Sequence, residues 1–281
     1  MLKPEQFVHA IETEGYVVAD LPDATPVRYV REALRQELRN ILSNRTVELE
    51  TYHELDLSDE DHLQVHARIA AFARKNQVSK LILLAQLPFF KQIFGPDVAM
   101  TCRDNVRIAR PGKEIDVFGL HRDSDYGNTA YEVNLFIPFV RLDDKSGLSV
   151  VPRSHSLDQD ADFRIKKVKH PTITEGSPRH QLGFMHTANV IDNLSEIMVR
   201  VGCDKPLTPP LAVGQTLAFA PHLIHGQDVN AGNVTRWSLD FEICNALAPI
   251  NWKTTRGEDR FEIVSQSYFF KEGRRVHHAP N

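Results

Sequence analysis

Cysteine is scarce in this chain of 281 residues: Cys102, Cys203 and Cys244 are far apart, odd in number and form no CxxC pair. Neither a disulfide framework nor a thiolate zinc site is supported, and the three read as reduced, buried thiols. Long apolar runs are also missing. No stretch approaches the roughly 18 apolar residues of a membrane span. The opening Met1-Leu-Lys-Pro-Glu-Gln-Phe lacks the basic and apolar regions of a secretory leader, so a soluble, cytoplasmic protein is expected. Net charge is small, 33 Lys and Arg against 37 Asp and Glu, which leaves no basic field for a polyanion and excludes nucleic acid as the expected partner. There is no internal repeat and no low-complexity tract. What is present, 42% hydrophobic and 25% charged residues, suits one soluble domain with a sizeable core.

Residues 1–99 read mainly as helix, because 27–42 and 63–75 place apolar residues at three- and four-residue spacing among charges. This part is expected to be scaffold. From about residue 100 the pattern changes to short runs of β-formers broken by turn residues: 105–109, 130–140, 148–151, 216–220 and 235–243. Those runs predict an antiparallel β sandwich or barrel over 100–250. Residues 154–210, rich in His, Pro and charge, form an insertion long enough to be a lid or binding loop, with helical periodicity over 189–200. Residues 251–281 make a polar C-terminal extension with a basic end.

The chemistry starts at His121-Arg-Asp123, since residues two apart on an extended segment project to one side and can grip one ion with an imidazole and a carboxylate. The pattern alone is weak in a chain with 13 histidines, as for any short motif. Its context is the segment from Phe219 to Ser238, in which His225-Gly ends a strand and, eleven residues after the histidine, Arg236-Trp-Ser238 begins another. Two neutral imidazoles and one carboxylate on one face of an ion leave three positions open, an arrangement typical of oxygen-activating iron(II). Three open positions suit a bidentate 2-oxo acid plus O2. Arg236 would then grip the far carboxylate of 2-oxoglutarate with a planar two-pronged donor, and Ser238, on the same strand face, would add a hydrogen bond.

The run Asn134-Leu-Phe-Ile-Pro-Phe-Val-Arg-Leu-Asp-Asp-Lys-Ser-Gly-Leu-Ser-Val-Val-Pro152-Arg-Ser-His155 resembles the phytanoyl-CoA dioxygenase family of 2-oxoglutarate oxygenases. In that family a strand, an acidic turn and a Pro-Gly-Ser-His follow the His-x-Asp; here Arg153 replaces the glycine, which would narrow the turn. The resemblance spans roughly residues 101–243 and keeps the order His-x-Asp, Pro-x-Ser-His, His-Gly, Arg-x-Ser. It implies a double-stranded β-helix, the jelly-roll or cupin-like type, mainly β with flanking helices. It also implies Fe(II), 2-oxoglutarate and O2 as reactants, with succinate and CO2 released as a small molecule is oxidised. The strand at 103–109 turns Arg103, Asn105 and Arg107 to one face. In the resembling family that strand helps hold 2-oxoglutarate or substrate, which makes Asn105 and Arg107 candidates, and Asn134 with them.

Simpler readings stand beside these. His222, three residues before His225, would face the other way on a strand, and is expected in a supporting or surface role. His155 is expected to close the turn after Pro152, and Trp237 to lie in the core. Asp125 and Tyr126 fall where a substrate could be touched. Arg107, Arg110, Lys113, Arg122 and Arg153 hint at an anionic substrate, although such clusters are more often solvated faces. Two other classes use the same ligands: a jelly-roll binding protein or isomerase that kept only the fold, and a zinc hydrolase with a metal-bound water. Both leave Arg236 and Ser238 without a role.

Overall fold

The computed structural model describes residues 2–43, 45–170, 173–184, 187–252 and 259–265, and the backbone of 270–271 and 274–275. In chain order come α1 (Pro4–Glu14), β1 (Tyr16–Asp20), α2 (Thr25–Ile41), α3 (Asp59–Lys75) and α4 (Val78–Phe94). The strands β2 (Val98–Thr101), β3 (Asn105–Ala109), β4 (Glu132–Pro138) and β5 (Ser149–Val150) follow, then β6 (Ile165–Lys169), α5 (Pro178–Gln181), β7 (Thr187–Ile191) and α6 (Leu194–Arg200). The strands β8 (Gln215–Phe219), β9 (His225–Gly226), β10 (Arg236–Asn245) and β11 (Phe261–Ile263) complete the order.

Strand periodicity sets the layers. Along β10, Trp237, Leu239, Phe241 and Ile243 are buried in the main apolar core, while Arg236, Ser238, Asp240 and Glu242 turn to the opposite face, as a period of two requires. The apolar face meets the helices. Val27, Val30, Leu34 and Leu38, at helical spacing on α2, are buried in the same core, and α4 packs on β2 and β10. Helix α3 starts where Ser58 Oγ accepts a hydrogen bond from Asp61 N, with Asp59, Glu60 and Asp61 in its positive first turn. Trp237 is locked at the centre: its indole N–H donates to Leu49 O at 2.8 Å, and the Tyr52 ring meets it edge-on at 5.5 Å.

The pairing of strands identifies the fold. The larger sheet runs β1-β8-β4-β10-β2-β11, with β3 also pairing β10. A second set opposes it, in which His121 bridges His225, β5 pairs β9, and Val150 bridges Leu207. Followed along the chain, β3, β4, β8 and β10 belong to the first set, and residue 121, β5, residue 207 and β9 to the second. Two four-membered sets wound together in this way are a double-stranded β-helix, the jelly-roll architecture expected from the motifs.

The differences from the sequence reading are local. The first hundred residues include two strands as well as helices: β1 adds to the sheet edge through β8, and β2 pairs β10 and β11. Five alternating residues between two helices carry too little signal to be read as an edge strand. The helical periodicity expected over 189–200 divides, with Thr187–Ile191 pairing as a strand with Ile165–Lys169 and the helix confined to Leu194–Arg200. Cross-strand pairing decided this, and it is not local information. Of the three cysteines expected to be buried, Cys203 and Cys244 are, whereas Cys102 is exposed. No helix among the described residues is long and apolar enough to cross a membrane.

Candidate functional site

The second strand set brings two histidines side by side. His121 N donates to His225 O at 2.8 Å and His225 N to His121 O at 2.9 Å, so the residues face each other across an antiparallel pair and their side chains share one side. The rings lie 4.4 Å apart. Gly226 permits this approach: a Cβ there would lie 2.6 Å from Gly119 O and 2.8 Å from Leu120 Cα, both backbone atoms that cannot swing away. Gly226→Ala is therefore expected to push the two segments apart and to weaken metal binding by about tenfold or more, the scale of lost ligand support. Calorimetric titration with Fe(II) or Ni(II) reads this directly, and an unchanged Kd would mean that the close approach does not set the pair.

Asp123 completes the group where extended backbone at Arg122 turns into a short 3-10 segment, Asp123–Tyr126. One donor atom each from His121, Asp123 and His225 lies within 4.8 Å of the others, a spacing that could hold a metal ion. Their surroundings orient them for it. His121 Nδ1 lies 2.8 Å from Gly119 O and His225 Nδ1 3.0 Å from Leu223 O. A carbonyl only accepts, so each Nδ1 carries the proton and each Nε2 presents a lone pair. Asp123 Oδ1 is 3.3 Å from His121 Nε2, while Asn134 Nδ2 donates to Asp123 Oδ2 at 2.6 Å. Burial pushes the Asp123 carboxyl up, but His225, His121 and Asn134 together outweigh it and hold it below the usual carboxylate range. Burial pushes the His225 ring down to about 4. A carboxylate beside a neutral imidazole is the protonation state that metal binding requires.

The inward face of β10 continues the cavity. Arg236, Asp240 and Glu242 line it, together with Asn105 and Arg107 of β3 and Asn134 and Phe136 of β4. Arg236 is 2% exposed, and burial pushes its guanidinium down to about 10, so it is charged at neutral pH. Nη1 makes one long hydrogen bond, 3.4 Å to Gly147 O. Among the described residues its Nε has no partner, and neither has the fully buried hydroxyl of Ser238 on the same face. Buried donors left open in this way are uncommon, and a ligand or water could satisfy them.

Arg107 is more engaged than expected: Nη1 donates to Leu182 O at 2.6 Å, the Phe118 and Phe184 rings lie 5.1 and 5.6 Å from its Cζ, and Nε is 3.6 Å from Asp240 Oδ1. Leu182 and Phe184 belong to the 154–210 insertion, which therefore forms part of the cavity wall. Asp240 and Glu242, absent from the sequence reading, sit beside Asn105 and Asn134 respectively in the strand register. Their signal was available, because they extend the two-residue repeat begun by Arg236 and Ser238.

Several candidates lie elsewhere. Asp125 and Tyr126 do not line the cavity: Asp125 Oδ1 accepts from Arg122 Nη2 at 2.6 Å, and the Tyr126 hydroxyl accepts from Asn189 N at 2.9 Å. Of the five basic residues read as a hint of an anionic substrate, Arg107 lines the cavity and the other four do not. Arg110 is buried on Asp116 and Asp59, Arg122 stacks 3.6 Å from the Phe163 ring centre, Arg153 pairs with Glu14, and Lys113 is exposed away from the cavity. Acids pair with these arginines, Asp125 and Asp116 from nearby in the chain and Asp59 and Glu14 from far away. His222 is half-buried and outside the three-residue group. His155 Nε2 donates to Glu12 O near the end of α1. Arg153 adopts φ 64, the left-handed conformation natural to glycine. A cost on the order of 1 kcal/mol is offset by hydrogen bonds from its side chain to Val201 O at 3.0 and 2.7 Å.

No family model and no curated relative matches the chain. Solved structures are similar in fold. The non-heme monooxygenase ThoJ in apo form aligns at a TM-score of 0.53 with 14% identity, over 96% of this chain and 88% of that one. EctD from S. alaskensis, also in its apoform, aligns at 0.50 with 15% identity over 89% and 80%. These likenesses agree with the double-stranded β-helix traced above.

Proposed function

We propose that the chain is a non-haem iron(II) enzyme of the phytanoyl-CoA dioxygenase-like kind, which uses 2-oxoglutarate and O2 to oxidise a small organic molecule and releases succinate and CO2. Arg236 carries the reading. A buried guanidinium without full pairing is costly, and its open Nε, in the same cavity as the His-Asp-His group and two residues before the buried, open Ser238 hydroxyl on the same strand face, suits the far carboxylate of a 2-oxo diacid. A hydrolase or a simple metal binder has no use for that pair. In this reading His121 Nε2, Asp123 Oδ1 and His225 Nε2 hold the iron. When bound, iron chelated by 2-oxoglutarate supplies the O2-dependent oxidation of a substrate C–H bond, with hydroxylation the default outcome and desaturation, ring closure or epimerisation its variants.

The chain's own residues do the positioning. Asn134 donates to Asp123 Oδ2 and so fixes the carboxylate with Oδ1 3.3 Å from His121 Nε2 and Oδ2 3.5 Å from His225 Nε2. The Gly119 and Leu223 carbonyls hold both imidazoles in the Nδ1–H form. Phe118, Phe136, Phe184 and Phe219 line the cavity with apolar surface and limit the water that would weaken these contacts. The test is to load purified protein with Fe(II) under anaerobic conditions and add 2-oxoglutarate. A new visible charge-transfer absorption is expected, followed by slow succinate formation once O2 is admitted. If calorimetry detects no 2-oxoglutarate binding to the iron-loaded protein, the oxygenase reading fails and a binding protein or hydrolase takes its place.

A further inference from the structure

Two carboxylates in the cavity have no task once iron and 2-oxoglutarate are provided for. Asp240 and Glu242 lie two residues apart on the inward face of β10 and both line the cavity. Neither has a donor at good hydrogen-bond distance among the described residues. The nearest recorded contacts are Arg107 Nε, 3.6 Å from Asp240 Oδ1, and Asn128 Nδ2, 3.5 Å from Glu242 Oε1. A separate acceptor stands next to them. Asn134, opposite Glu242 in the strand register, is 3% exposed and lines the same cavity. Its Nδ2 is committed to Asp123, which fixes the amide orientation, and its buried Oδ1 has no partner.

The charges leave the same remainder. In the oxygenase reading Asp123 serves the metal and Arg236 the cosubstrate, while Asp116 is satisfied by Arg110 and His62. Arg107 then lies beside Asp240 alone, at 3.6 Å, and its hydrogen bond goes to Leu182 O instead. Among the described residues this end of the cavity is thus acceptor-rich, with Asp240 and Glu242 set against Arg107.

We infer that it receives a cationic nitrogen group of the primary substrate, an alkylammonium or a guanidinium, held between Asp240 and Glu242 with Asn134 Oδ1 as a further acceptor. The inference rests on the oxygenase reading, because it assigns that group to the molecule being oxidised. It reverses the anionic substrate that the basic residues suggested. Desolvation pushes the half-buried Asp240 carboxyl up to about 6 despite Arg107 and Arg236, and a bound cation would offset that. The contact would also fix the substrate relative to the metal, since Asn134 touches both Asp123 and the acceptor end.

The test compares three probes of equal length, n-butylammonium, n-butanol and n-butyrate. Each is titrated calorimetrically into protein loaded with Fe(II) and 2-oxoglutarate under anaerobic conditions, and in parallel into metal-free protein. Butylammonium is expected to bind about tenfold or more tighter than butanol, the scale of a hydrogen bond to a charged group, with butyrate the weakest. Asp240→Asn and Glu242→Gln should each remove most of that preference, and Glu242→Gln, at a residue that is not a charge partner of Arg236, should change 2-oxoglutarate affinity little. Arg107→Gln should strengthen amine binding, a gain that a misfolded protein cannot give. Butyrate binding as tightly as butylammonium overturns the inference. So does undetectable amine binding, or a D240N/E242Q protein that binds the amine like wild type. If 2-oxoglutarate itself does not bind, the oxygenase reading fails instead, and the metal-free titration still decides whether the cation site exists.

Discussion

Asp123→Ala is expected to reduce both iron content and 2-oxoglutarate turnover to background. The reading gives the ion three protein donors, and losing one leaves two imidazoles with no carboxylate to neutralise its charge. The damage spreads beyond the missing bond. Asn134 Nδ2 loses its acceptor, and a buried amide donor without a partner costs about 1–3 kcal/mol. His121→Ala and His225→Ala should behave in the same way, because the two rings face one another across a single backbone bridge. His222→Ala and His155→Ala are the controls and should keep their metal. Iron per chain and succinate formed per minute measure the effect. Full activity in any of the three variants sinks the assignment, and loss of iron in His222→Ala equal to that in His225→Ala would show that the wrong histidine had been chosen.

Arg236→Lys should lower affinity for 2-oxoglutarate by roughly 30-fold to several hundred-fold, the consequence of breaking a two-pronged charge-assisted pair worth about 2–4 kcal/mol. Lysine keeps the charge but replaces a flat fork with a single point donor. The site leaves it little room to adapt, since position 236 is buried, with the ring of Phe136 5.9 Å from its Cζ. Iron binding should hardly change, because Arg236 lies outside the three-residue donor group. An anaerobic titration of 2-oxoglutarate, followed by charge-transfer absorption in both proteins, separates the two effects. Equal affinities would mean that the far carboxylate is bound elsewhere, with Arg107 the alternative cation in the cavity.

Much of this arrangement could be read from the chain because it is local. A strand period of two places Arg236 and Ser238 on one face and Trp237 on the other, whatever the rest of the molecule does. The same rule put His121 and Asp123 together and set His222 apart from His225. The helices at 25–41 and 59–75 announced themselves through apolar spacing. Other features came only with the tertiary structure, because they depend on what lies opposite. Gly226 is needed for a contact with Gly119 and Leu120, more than a hundred residues earlier in the chain. Arg110 and Arg153 read as free charges until folding set Asp59 and Glu14 against them. Asp240 and Glu242 were ordinary strand residues until β3 and β4 closed around them with no matching donors. By itself, the sequence determined which residue types share a face and which chemistry they favour. Whether each charge is neutralised, left open or turned toward the cavity was decided only by the tertiary structure, because electrostatic energy depends on distance and burial, and residues far apart in sequence set both.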